Sequence, residues 1–288
     1  LSAPNNEKEN DMKWIIDDMM ADSYYGGNFL SSLKALERDV KIFEDNPFNQ
    51  IKMENLKIED LTLAYGSIQF IEKLAKNSNV SVFANFNSFD SNKYLSYLDS
   101  SLLLSDDYIY VTMSFLLDDS QRGMLKTMFG NEVFIRPNSS KKIFSGQIIN
   151  LDDKRNIENT FKMGGSNKDT IILISSVKKV IGEYRTFVSK KNGVLTASSY
   201  FYDKRGAEIR GCPEKVRIFA ETIMEELSDN APDKLLVIDI AEYEKKGGVT
   251  CLGLVELNAP STSGIYACDA MPIILEMEQI IKDEWEME

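Results

Sequence analysis

The spacing of apolar residues predicts a chain that changes architecture along its length. In the first part, short apolar runs alternate with helical stripes. Residues 13–16 read as a strand, and Phe29, Leu30, Leu33, Leu36 and Val40 recur at helical spacing, predicting a helix over 28–40. Residues 41–43, 61–65 and 80–84 read as further strands, while Ile68, Ile71, Leu74 and Ala75 set a helix directly after Gly66-Ser67. Strands separated by helices in this way predict a small α/β layer with parallel strands.

The middle predicts strands at 108–113, 132–136 and 141–149, with a helix over 114–129. The last part reads as hairpins. Residues 170–175 form an apolar run, 183–189 and 194–200 flank the turn residues Lys191-Asn192-Gly193, and 235–241 and 249–258 flank Lys245-Lys246-Gly247-Gly248. Pro213 opens a helix carrying Val216, Phe219, Ala220, Ile223 and Leu227, proline being suited to a first turn. A final helix bears Ile273, Ile274, Met277, Ile280 and Ile281, and its acid-rich opposite side reads as a solvated face. The expected division is a disordered tail at 1–11, an N-terminal α/β domain at 12–130 and an α+β domain at 131–288.

Composition narrows the chemistry. With 43% hydrophobic and 27% charged residues the chain has the makings of a core and is not globally disordered. A net charge of −12 argues against nonspecific binding to nucleic acid or to an anionic membrane. No apolar run approaches the ~20 residues of a membrane span. Cys212, Cys251 and Cys268 are odd in number and far apart, so a reducing, cytoplasmic setting is expected rather than a disulfide framework. The chain contains no histidine, which excludes Ser-His-Asp and Cys-His nucleophile systems, a histidine general base and histidine-ligated zinc.

What remains is chemistry done by charge. Glu256 and Asn258 lie two apart on a strand and share a face. A two-residue turn at Gly247-Gly248 would set Asp239 opposite Glu256, and two facing carboxylates repel. An acid in a run as apolar as LLVIDIA calls for something positive beside it. A hard divalent cation, Mg²⁺ or Mn²⁺, would satisfy Asp239, Glu256 and the Asn258 amide oxygen together; pairing with a lysine or capping of the following loop is the alternative. Arg136, Lys141, Lys142 and Arg185 form a basic set suited to polyphosphate oxygens, unless they are surface charges. There is no G-x-x-x-x-G-K-[ST] or G-x-G-x-x-G motif, and Met163-Gly164-Gly165-Ser166 reads as a loop.

Four segments taken in order, VFIRPNSSKKIFSG, IILISSV, EYRTFVSKKNGVLTASSY and VIDIAEYEKKGGVTCLGLVELNAPSTSGIYACD, resemble the ATP-grasp superfamily over about residues 132–270. The resemblance is greatest to a divergent clade common in bacteria and their phages, which implies a cytoplasmic protein, the host's cytoplasm if phage-encoded. It implies a nucleotide between two α+β subdomains, with adenine against the backbone of Leu173, Ile174, Ser175, Ser176 and Val177 on an edge strand and its exit. It implies phosphate contacts from Arg136 (in place of the lysine of many relatives), from Lys142 or Lys141, and from Arg185, which would reach a phosphate or the substrate carboxylate. Asp239, Glu256 and Asn258 would hold Mg²⁺, and Ser261-Thr262-Ser263-Gly264 would border the acceptor.

The implied activity is ligation of a small-molecule or peptide carboxylate to an amine or thiol through an acyl phosphate, with Arg185 and Lys142 as catalytic groups. A nucleotide-binding module without turnover, a small-molecule kinase and an interaction protein docking through the acidic tail helix are the alternatives. Specificity is expected to lie in the N-terminal half and in 157–168. Alanine at Asp239, Glu256 or Asn258 is expected to weaken Mg·ATP binding while leaving the fold largely intact.

Overall fold

The structure, a computed structural model, describes residues 12–21, 26–43, 61–162, 166–202, 208–245 and 247–286. The expected tail at 1–11 and residues 163–165 of the glycine pair's loop lie outside them. The chain divides into two compact units, one from Leu1–Ala84 with Pro260–Glu288, the other Asn85–Ala259. No helix among the described residues is long and apolar enough to cross a membrane.

The first unit carries the expected parallel sheet. Its strands are β1 (Lys13–Asp17), β2 (Asp39–Phe43), β3 (Thr62–Tyr65) and β4 (Val80–Ser81), in the order β2-β1-β3-β4. All four residues of β3 and the last four of β1 are buried, as strands covered on both faces must be. The stripe expected as one helix over 28–40 divides. The helix is Phe29–Ala35, the chain turns through Glu37 at a positive φ of 56°, and Val40 becomes part of β2. Phe29 stacks on Tyr65 at 4.0 Å and meets Trp14 edge-on at 5.5 Å.

The helix Ala270–Trp285 belongs to this unit, capped by the Asp269 carboxylate accepting from the Met271 N–H. Its apolar stripe is buried as expected, but its acids are not all solvated. Glu278 is 3% exposed, and Glu276 is buried as well. Glu278 accepts from Trp14 Nε1 at 3.0 Å and from Arg38 Nε and Nη2, both at 2.9 Å. A buried indole N–H and a guanidinium need an acceptor, and this helix supplies it.

The second unit holds two antiparallel sheets. Strands β5 (Ile109–Thr112), β6 (Glu132–Pro137), β7 (Gln147–Asn150) and β8 (Ile171–Ser176) form one, in the order β5-β8-β6-β7. Strands β9 (Lys179–Ser189), β10 (Gly193–Tyr202), β11 (Ile209–Arg210), β12 (Leu235–Glu244) and β13 (Thr250–Asn258) form the other, in the order β11-β10-β9-β12-β13. The helix Glu214–Leu227 carries the expected stripe, with Pro213 as its N-cap. The division drawn at 130/131 falls inside this unit, because β5 pairs with β8 and ties the residues before it to those after it.

Two expected elements are interrupted. The helix over 114–129 breaks at Asp118, whose carboxylate accepts the N–H groups of Ser120 and Gln121 and starts a new helix, Asp119–Phe129. The strand expected over 141–149 is a loop until Gln147. Asn138 Oδ1 accepts from Ser91 Oγ and the Asn92 N–H, while Ser140 is held by Asp90 and by the Phe86 carbonyl. Side-chain bonds of this kind give the backbone an alternative to the ladder.

The last hairpin reaches its expected register by another route. Glu244 pairs with Thr250, so the connection runs over 245–249 rather than two residues. That register would miss the expected pairing by one residue. A β-bulge at Val255 restores it, because Ile240 faces Leu254 while Asp239 faces Glu256. Gly253 is required nearby, since a Cβ there would stand 2.7 Å from backbone atoms of Leu104.

Candidate functional site

The cross-strand pairs Ser198↔Arg185, Arg185↔Asp239 and Asp239↔Glu256 place four side chains in a row on one face of the five-stranded sheet. Asp239 is 2% exposed. The positive group beside it is Arg185, whose Nε donates to Oδ1 at 2.8 Å and whose Nη2 donates to Oδ2 at 2.6 Å. This bidentate fork meets the need that a lysine or a cation was expected to meet. Asn258 Nδ2 donates to Asp239 Oδ2 at 2.9 Å and to Glu256 Oε1 at 3.0 Å, so one amide bridges both acids.

Glu256 is less enclosed, its side chain 28% exposed, with Lys142 Nζ 3.4 Å from Oε1 and Arg136 Nη1 3.9 Å from Oε2. Burial alone would push its carboxyl up, but Lys142, Arg136, the Asn258 amide and Arg185 together hold it down at about 2. It is therefore a carboxylate throughout the physiological range.

The donor set fits a hard divalent cation. Asp239 accepts three hydrogen bonds, leaving one of its roughly four lone-pair directions. Glu256 Oε2 and Asn258 Oδ1 accept none among the described residues, and both residues line a cavity of about 240 Å³. Among the described residues no three His, Cys, Asp or Glu side chains form a metal-binding group. A site here therefore depends on the amide oxygen as third donor, and all-oxygen donors suit Mg²⁺ or Mn²⁺.

The basic residues separate. Lys142 lines the 240 Å³ cavity, in the left-handed region at φ 50°, whereas Lys141 is exposed and does not line it. Arg136 also lines the cavity and is 8% exposed. Two of its donors are already engaged: Nη1 donates to the Val255 carbonyl and Nη2 to Tyr94 Oη at 3.2 Å.

A second, more apolar cavity of about 480 Å³ is lined by Phe134, Ile148, Ser176, Val177, Lys178, Val180, Glu183 and Val255, among others. Here the expected adenine stretch is corrected in part. Strand β8 is interior, between β5 and β6, not an edge. Leu173 and Ile174 pair with both neighbours and Ser175 pairs with Phe134, so their backbones are committed to the sheet. All three are buried, and only Ser176 and Val177 reach the cavity.

Some cavity residues lie outside the set expected from sequence. Glu183 lines both cavities and accepts no hydrogen bond among the described residues. Burial first, then the Asp239 and Glu256 charges, push its carboxyl up to about 7. It lies two residues before Arg185 on β9, so the same-face rule that joins Glu256 to Asn258 also finds it. Lys178, paired with Asp106 at 2.6 Å, and Tyr94 carry no such signal.

The Ser261-Thr262-Ser263-Gly264 segment lies in the first unit, where Tyr65 Oη donates to the Ser263 carbonyl at 2.7 Å and the Gly66 N–H to the Ser261 carbonyl at 2.9 Å.

Residues 119–274 match a family described as an ATP-grasp domain, the second family of its clade. No curated protein sequence matches the chain. Among solved structures the chain is similar to D-cycloserine synthetase DcsG, with 8% identity, TM-score 0.61 and coverage of 93% of this chain and 99% of that one. It is also similar to D-alanine–D-alanine ligase from Bacillus anthracis complexed with ATP, at 15% identity and TM-score 0.56 over 95% of this chain and 99% of that one. The ATP-grasp ligase PsnB complexed with minimal precursor shares 11% identity at TM-score 0.55, over 93% and 99%. At such identities the likeness is one of fold, and it extends over nearly the whole length. Together with the family match over more than half of the residues, the α+β ATP-grasp fold follows: the chain belongs to the ATP-grasp family.

Proposed function

We propose that the protein is an ATP- and Mg²⁺-dependent ligase that joins a carboxylate to an amine or thiol through an acyl phosphate. The observation that carries this reading is the row Arg185–Asp239–Glu256, bridged by Asn258 and bordering the cavity lined by Lys142. The 480 Å³ apolar cavity suits a purine, with Ser176 and Val177 at its wall, and the smaller polar cavity suits the phosphates. The named activities of similar structures support the class: a D-alanine ligase joins small molecules, and PsnB is complexed with a precursor. A small-molecule or peptide carboxylate and an amine are accordingly the proposed partners.

Asp239, Glu256 and Asn258 would hold Mg²⁺, which when bound neutralises charge on the β and γ oxygens of ATP. Lys142 would offset charge on the transferring phosphoryl group, while Arg185, held rigid by Asp239, would face the phosphate or the substrate carboxylate. The substrate carboxylate oxygen attacks the γ-phosphorus, the bond to the β–γ bridging oxygen breaks and ADP leaves. The amine nitrogen then attacks the acyl carbon, phosphate departs and the nitrogen loses a proton. Neither step needs a protein nucleophile or a histidine, in keeping with the composition.

The test is ADP release over a panel of carboxylates and amines, with hydroxylamine as an acyl-phosphate trap. The reading predicts ADP release and hydroxamate for a particular carboxylate. A stable phosphorylated product would identify a kinase, and nucleotide binding without ADP release for any pair would identify a binding module; either result contradicts the ligase reading.

A further inference from the structure

Glu256 is the most exposed carboxylate of the row, yet it follows a bulge at the edge of its sheet, where a backbone is least constrained. A bulge leaves its extra residue outside the ladder, and an edge strand presents N–H and C=O groups to no neighbouring strand. Farther along the same edge, the Leu254 carbonyl accepts from the Leu104 N–H at 3.1 Å.

Around Glu256 the neighbour is a pair of side chains. The Val255 carbonyl accepts from Arg136 Nη1, and the Leu257 N–H donates to Tyr94 Oη at 3.2 Å. Tyr94 Oη also accepts from Arg136 Nη2 at 3.2 Å, which links the two contacts. The Val255 carbonyl belongs to the peptide group before Glu256, and the Leu257 N–H to the one after it. Both peptide planes that meet at the Glu256 Cα are therefore held by one Tyr–Arg pair. Tyr94 is fully buried and Arg136 nearly so, and the charged Arg136 stands 3.9 Å from Glu256 Oε2.

We infer that Tyr94 is a positioning residue for Glu256. Through Arg136 and directly at Leu257, it fixes the backbone on either side of the bulge and so fixes where the Glu256 carboxylate points. Arg136 is the middle of this clamp, with two of its donors engaged by protein, whatever contact its remaining N–H groups make in the cavity. The inference rests on the reading of Glu256 as a metal-binding carboxylate.

The experiment is a double-mutant cycle on the full chain, with Tyr94→Phe, Glu256→Gln and the two combined. Binding of the nonhydrolysable analogue AMPPNP is measured by calorimetry across a Mg²⁺ series. Supporting groups behind a metal ligand typically contribute 10–100-fold to metal affinity. Tyr94→Phe is expected to raise the Mg²⁺ midpoint about tenfold in the parent and less than about twofold on top of Glu256→Gln, because its effect passes through that carboxylate.

Equal effects in both backgrounds would make Tyr94 a packing residue and overturn the inference with the metal reading intact, as would an unchanged midpoint in Tyr94→Phe. An unchanged midpoint in Glu256→Gln would overturn the metal reading and the inference with it. Arg136→Lys, which keeps the charge and loses the fork, runs the same cycle if Tyr94→Phe does not fold.

Discussion

The two units each hold a carboxylate that the fold places near a guanidinium, and the two are treated differently. In the first unit Glu278 is 3% exposed and takes three hydrogen bonds, one from Trp14 and two from Arg38. In the second, Glu256 is 28% exposed, takes one hydrogen bond from Asn258, and faces a polar cavity with Lys142 and Arg136 at 3.4 and 3.9 Å. A saturated buried acid is a structural element. An acid kept charged but short of donors, beside a cavity, holds capacity for something else to bind. Asp239 lies between the two cases: it is buried and locked by Arg185, yet it sits in the row with Glu256.

Substitutions should separate these roles. The largest effect on stability is expected at Asp239. The Asp239→Ala variant leaves Arg185 buried and uncompensated, and unfolding in urea should show a loss of about 3–5 kcal/mol. This replaces the expectation from sequence that alanine there would spare the fold. Glu278→Ala should come next, at about 3 kcal/mol, because Arg38 and the Trp14 N–H both lose their acceptor while nucleotide binding by the folded fraction is unaltered. Glu256→Gln should cost less than about 1 kcal/mol of stability, yet weaken Mg·AMPPNP binding at least about tenfold. Equal stability losses at Glu256 and Glu278 would erase the distinction between them.

A smaller effect follows from pH. The Glu183 carboxyl is raised to about 7 from its usual 4.5. The folded state thus holds that proton more tightly than the unfolded chain, so the associated stability is full below pH 4.5 and is lost as pH rises through 7. Glu183→Gln should therefore be more stable than the parent at pH 8, by about 1 kcal/mol, and little different at pH 4.5. Glu256 has the opposite sign. Held at about 2, it contributes stability that is present above pH 4.5 and lost as pH falls toward 2, and Glu256→Gln removes that acid-side slope. Melting temperatures of both variants between pH 3 and 8 check the two windows.

Much of this is legible in the sequence, for reasons that differ by region. The parallel and antiparallel layers follow from apolar runs and turn residues, and the Asp239–Glu256 pairing follows from hairpin logic. Its route does not: the longer connection and the Val255 bulge offset each other, and no residue type announces a bulge. The acidic face of the tail helix is not legible in the same way, because the partners of Glu278 lie 264 and 240 residues away. Periodicity reports which side is apolar, not which acid meets a distant arginine. Tyr94 is hidden for the same reason, being 163 residues from Leu257 in a helix of four residues. Leu173–Ser175 carry the expected apolar pattern, but only the strand order shows their backbones to be committed on both sides.

The central claim is that the Asp239–Glu256–Asn258 group holds the metal of a bound nucleotide. Its most direct measurement is calorimetric titration of AMPPNP into the parent and the Glu256→Gln variant, each with Mg²⁺ and with a chelator in its place. The account predicts that the parent binds only with Mg²⁺ and that the variant, folded by circular dichroism, loses at least about tenfold of that affinity, as removal of a metal-binding carboxylate should. Identical Mg²⁺-dependent isotherms for the two proteins would contradict it.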